Sequence, residues 1–82
     1  MSEKNALKEF FVVAVALTTK DNVEKISTLV KNQGVNIDSN FNILSNDVSR
    51  DQLQNIFQGL SAISATLKIG ARNAFRKCGV DI

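Results

Sequence analysis

The sequence contains no histidine, no proline, no tryptophan and no tyrosine, and only one cysteine, Cys78. The lack of histidine removes the usual metal clusters and every acid–base or nucleophilic arrangement that depends on an imidazole. One cysteine cannot close an internal disulfide, so cysteine usage gives no sign of an oxidising compartment. Cys78 falls at a helix end beside Lys77 with no histidine to pair with, and is read as a plain half-buried thiol. Long hydrophobic runs are also lacking. The longest, Phe10 to Leu17, covers eight residues, whereas a membrane span needs about 20. Ala14 and Ala16 have the spacing of a signal-peptide cleavage site, but Glu3 and Glu9 spoil the basic lead-in and leave almost no apolar stretch before the cut. The expectation is a cytoplasmic protein with no membrane association. Phosphate-cradling glycine patterns and the nucleophile elbow are missing as well. The carboxylates are few and scattered, although paired carboxylates are the one acid–base device open to a chain without histidine. The sequence is therefore read as non-enzymatic, with no cofactor and no small-molecule substrate.

What the sequence does hold is an ordinary globular balance: 82 residues, 44% hydrophobic and 22% charged, with a net charge of +2. That is enough for one domain, residues 1–82, but a chain this short buries only about 60–65% of the surface it exposes when unfolded. Four segments stand out. In the first, Leu7, Phe10, Phe11, Ala14 and Leu17 recur at helical spacing, with Ser2 as cap and Glu3 in the first turn. The competing reading is a buried strand from Phe10 to Thr18, because Phe-Phe-Val-Val-Ala-Val is rich in strand formers. The second, about residues 22 to 33, reads as a helix with an Asp21-x-x-Glu24 capping pattern, an apolar stripe of Val23, Ile26, Leu29 and Val30, and a stop at Gly34 followed by Val35. In the third, Val35, Ile37, Phe41 and Ile43 alternate with polar residues, the period of a strand. An Asn-rich loop tucking Ile37, Phe41 and Leu44 inward is the preferred reading, with a short helical turn capped by Asp38 or Ser39 as an option.

The fourth segment opens on a Ser49-x-x-Gln52 capping box, with Val48 and Leu53 placed for a hydrophobic staple. Leu53, Leu60, Leu67 and Ala74 then recur every seven residues, with Ile56, Ile63 and Gly70 three after the first three. This predicts one long helix over about 50 to 78, or two helices bent near Gly59, with Gly79 as the stop. The fold expected is all-α, a small bundle of three to four helices with a long or bent C-terminal helix; the alternative is a small α+β domain beginning β-α-β. The core is predicted at Leu7, Phe10, Phe11, Ala14, Leu17, Val23, Ile26, Val30, Phe41, Leu53, Ile56, Phe57, Leu60, Ile63, Leu67, Ala74 and Phe75.

Two functions compete. The regular heptad and small size suggest a protein-binding module or regulator that self-associates, with Leu60, Ile63, Leu67, Gly70 and Ala74 as the seam. The small residues Gly70, Ala71 and Ala74 would let another backbone approach, either from a second copy or from within the chain. The second function is nucleic-acid binding. Lys68, Arg72 and Arg76 sit four apart along one flank, with Lys77 on another side and Asn73 as a polar neighbour. From Ser49 onward the chain carries five basic and two acidic residues. The plainer reading of this row is the solvated face of an amphipathic helix. Asp38, Asn40 and Asn42 imitate the first ligands of a calcium loop, but Ile43 and Ser49 occupy the positions that need glycine and a bidentate glutamate, so no metal is expected.

Overall fold

The computed structural model describes residues 3–82, so the expected cap at Ser2 lies outside the described residues. Four α-helices follow one another: α1 (Glu3–Leu17), α2 (Lys20–Asn32), α3 (Arg50–Gly59) and α4 (Ala65–Lys77), with a 3-10 turn at Leu60–Ala62. No strand occurs among the described residues, so the architecture is a small all-α bundle. The ambiguous first segment is helical. A strand from Phe10 to Thr18 would split Phe10 and Phe11 between opposite faces and need a sheet partner. A helix places Ala6, Leu7, Phe10, Phe11 and Ala14 on one side, and all five are buried. Three valines in one helix cost only tenths of a kcal/mol each in propensity, while burying a Leu or Phe side chain contributes about 1.5–3 kcal/mol. Burial decides.

The bundle consists of two helical hairpins of matching build. Thr19 and Ser64 are extended caps, Gly34 and Gly79 have φ of +85° and +82°, and each pair lies 45 positions apart. Both α2 and α4 end in a Schellman motif. The Gly34 and Val35 amides donate to Lys31 and Val30 carbonyls, and the Gly79 and Val80 amides donate to those of Arg76 and Phe75. Only a residue that accepts positive φ without a Cβ clash closes this motif cheaply. It turns Val35 and Val80 back into the core, where both are buried. The stop at Gly34 and its contact at Val35 are as the sequence predicts. The N-terminal cap of α2 is not. Thr19, rather than Asp21, caps the helix, with its Oγ1 accepting from the Asn22 amide at 3.3 Å. The helix therefore starts earlier than residue 22, and Asp21 lies in its first turn.

In α3 the predicted capping box is complete. Ser49 Oγ accepts from the Gln52 amide at 3.0 Å and Gln52 Oε1 accepts from the Ser49 amide at 2.9 Å. Val48 and Leu53, flanking it, are both buried. The fourth segment is two helices rather than one long one, with the break near Gly59 as the second of the two readings has it: α3 ends at Gly59. The chain tightens into the 3-10 turn, then extends at Ser64 (φ −166°, ψ 131°), whose Oγ caps α4. The heptad phase survives because the 3-10 turn keeps Leu60 pointing inward.

The loop between α2 and α3 carries a single bridge between Ile37 and Ile43. Asp38 builds its tip. One carboxylate oxygen accepts from the Asn40 and Asn42 amides, the other from Asn42 Nδ2. Phe41 takes φ +63° there and stacks on Phe11 with ring centres 5.7 Å apart. No helical turn forms. Ile37 is buried and Phe41 half-buried, but Leu44, expected inside, is 60% exposed; Ile43 takes its place because the bridge turns it inward. All five phenylalanines form one train through the molecule, Phe57–Phe75–Phe10–Phe11–Phe41. It links α3, α4, α1 and the loop, while α2 is joined through Ile26 and Val30. Leu17, also expected in the core, is 56% exposed. It is the last residue of α1, where the chain already turns away.

Candidate interaction surfaces

The heptad residues are spent inside the chain. Leu60, Leu67 and Ala74 are buried, and Ile63 and Gly70 are half-buried. The lengthwise partner that the heptad calls for is supplied within the chain, chiefly by α1, which packs along α4. Gly70 faces α1 without being pressed by it: a methyl group there would meet Leu17 Cδ1 at 3.5 Å and Val13 Cγ1 at 3.7 Å, ordinary contact distances.

The basic row comes out on the solvent side of α4. Arg72, Asn73, Arg76 and Lys77 are exposed and Lys68 is half-buried. The five do not form one uniform patch. Lys77 reaches across to α1, 3.5 Å from the Glu9 carboxylate, an exposed pair of the kind worth about 0–1 kcal/mol. Lys68 and Arg72 lean on α3, with Lys68 Nζ 4.9 Å and Arg72 Cζ 5.3 Å from the centre of the Phe57 ring. An aromatic thus lies beneath the row, supplied from another helix and invisible in the linear spacing. Phe57 is itself buried, so it offers no open face to a base. Ile69, 63% exposed, stands beside the Lys68 and Arg72 end of the row. Together with Ser61, Ala65, Lys68 and Arg72 it lines a recess of about 210 Å³.

A second surface lies on α1. Val12 and Val15 are 62% and 57% exposed. They border a recess of about 310 Å³ between α1 and the loop tip, whose walls include Lys8, Phe11 and Phe41. Sequence reasoning missed both Val12/Val15 and Ile69. The signal for each was their position opposite the buried helical stripe. In α1 it was masked because Phe10 to Leu17 is apolar on every side, and in α4 because Ile69 is a lone apolar residue on the outer face, next to Lys68 and with no periodicity of its own.

The Asp38 carboxyl is held below the usual aspartate value, first by the Asn42 amide, then by the Asn42 side chain and the Asn40 amide. The calcium-like Asp38, Asn40 and Asn42 are thus a loop-building device. No group of three or more potential metal-binding His, Cys, Asp or Glu side chains occurs among the described residues. Cys78 is a half-buried cap at the end of α4. No helix among the described residues is long and apolar enough to cross a membrane. Comparison with known proteins finds no matching family model, and no match among the curated proteins or the solved structures.

Proposed function

We propose that the protein is a small non-enzymatic binding module that pairs with a second copy of itself through the outer face of α1. The observation that carries this reading is the pair of exposed valines, Val12 and Val15, standing beside the Phe11–Phe41 recess. A twofold interface needs one patch to act as both ridge and groove. The two valines form such a ridge and the adjoining recess forms the groove. Two copies of α1 running antiparallel would each lay their valines into the other's recess. The heptad residues Leu60, Leu67 and Ala74, buried within one chain, contribute by holding the bundle together behind this face.

Magnitudes set the strength. Each valine is already partly covered, so completing its burial contributes about 1–2 kcal/mol, or about 4–8 kcal/mol for the four in a dimer. That is comparable with the lower part of the cost of association, about 4–15 kcal/mol. The dimer is accordingly predicted to be weak, with a Kd of about 1 mM. Sedimentation velocity over about 50 µM to 5 mM, a range that brackets that affinity, tests it. The expected result is a concentration-dependent shift towards dimer that Val12→Glu/Val15→Glu removes without loss of helical circular dichroism. A wild-type chain that stays monomeric over the whole range sinks the reading.

A further inference from the structure

We infer that the outer face of α4 is a docking site for an acidic amphipathic segment of a partner protein, which seats one aliphatic side chain beside Ile69 and sets its carboxylates on Lys68, Arg72 and Arg76. This surface lies on a different helix from the valine ridge and does not depend on it.

Charge complementarity is the first argument. Helix α4 contains no acidic residue. Lys68, Arg72 and Arg76 follow one another at four-residue intervals, so they stand on one flank over about 12 Å. None of the three has a carboxylate within ion-pair distance among the described residues, whereas Lys77, off that flank, has Glu9. The second argument is preorganisation. Lys68 and Arg72 are braced on the Phe57 ring, which contributes cation–π attraction and limits the freedom their long side chains would lose on binding.

The third argument separates a protein from a nucleic acid. Neutralising phosphates needs cations alone, yet Ile69 stands 63% exposed beside Lys68 and Arg72. The recess beside it, of about 210 Å³, has room for one aliphatic side chain. It is smaller than the roughly 300 Å³ at which small-molecule pockets begin. An apolar anchor flanked by charges, here Lys68 and Arg72, is a layout of protein-binding sites in which the anchor supplies affinity and the charges supply on-rate and register. An acidic helix with carboxylates at four-residue intervals matches the spacing of the cations.

The test uses the full chain and a fluorescent synthetic helix of about 16 residues, with glutamates at every fourth position and one leucine beside the central glutamate, the spacing that matches the row. A second peptide carries glutamine in place of that leucine, and a mixed-sequence DNA duplex is the third probe. Anisotropy is read at low and physiological salt for the wild type, Ile69→Gln, Arg72→Glu/Arg76→Glu and Val12→Glu, each first checked for helical circular dichroism. The expected result is salt-weakened binding of the leucine peptide. Either Ile69→Gln or loss of the leucine should lower affinity by about tenfold, a decade on the affinity scale, and the double charge reversal should abolish binding. Val12→Glu should bind like the wild type. No binding of the leucine peptide overturns the inference, as does binding indifferent to Ile69. Duplex binding tighter than peptide binding, lost on charge reversal but unmoved by Ile69→Gln, assigns the face to nucleic acid instead. A monomeric wild type that still binds the leucine peptide upholds this site while removing the case for self-association.

Discussion

Glycine 70 sits in the interior of α4, where a glycine costs about 0.5–1 kcal/mol relative to alanine. The space beside it accepts a methyl group at normal contact distance from Leu17 and Val13. Gly70→Ala is therefore expected to stabilise the protein by about 0.5–1 kcal/mol, read as a raised urea midpoint with an unchanged slope. A loss of stability would mean that α1 approaches α4 more closely than these distances allow. Asp38 makes a pH-dependent contribution. Its carboxyl is held below its ordinary value in the folded chain by the Asn42 and Asn40 hydrogen bonds, whereas the unfolded chain titrates near the usual value of about 3.9. The folded state therefore binds this proton less readily than the unfolded state. The stabilisation is present in full above the unfolded value and fades as pH falls through the lower folded value. Urea midpoints measured through the acid range should fall less steeply for Asp38→Asn than for the wild type. Equal slopes would mean that the carboxylate does not hold the loop.

At the scale of single elements, the ends of the helices carry as much information as their faces. Ser49 and Gln52 form a reciprocal cap legible from two letters three positions apart, because the capping box is a local geometry. The start of α2 is less legible. Thr19 and Asp21 are both good capping residues, and only the path of the chain leaving α1 places Thr19 in the extended cap conformation. Thr19→Ala should cost about 1 kcal/mol, while Asp21→Ala should cost only a few tenths through its first-turn interaction with the helix dipole. Thermal or urea unfolding of the two variants ranks them, and the reverse order would return the cap to Asp21. The break before α4 has the same character. The heptad spacing is compatible with one continuous helix, and Ser64 becomes a cap only because the second hairpin must fold back onto the core.

Over the whole molecule, the phenylalanine train ties the two hairpins into one cooperative unit. Phe75 is fully buried and meets Phe10 of the first hairpin and Phe57 of the second at ring separations of 6.0 and 6.2 Å. Neither hairpin has a core without the other. Phe75→Ala is expected to cost about 3–5 kcal/mol, against a total stability of about 4–12 kcal/mol for a chain of this length. A large share of the variant should be unfolded at moderate temperature, and what remains should melt in one transition by circular dichroism. A variant that lost α3 and α4 while keeping α1 and α2 would show that the hairpins fold separately.

The sequence by itself determined the helical stripes, the capping box at Ser49, the glycine stops at positions 34 and 79 and most of the core. Each of these is a short-range pattern whose physics acts within a few residues. It also marked Lys68, Arg72 and Arg76 as a row, since i,i+4 spacing alone puts them on one flank. Tertiary structure decided the rest. It consumed Leu60, Leu67 and Ala74 of the heptad inside the chain and left Val12, Val15 and Ile69 outside. It also placed Phe57 beneath two of the cations. Core and seam positions have the same periodicity, and which of them meets solvent depends on where the other helices lie, a relation between residues distant in sequence that no local spacing encodes.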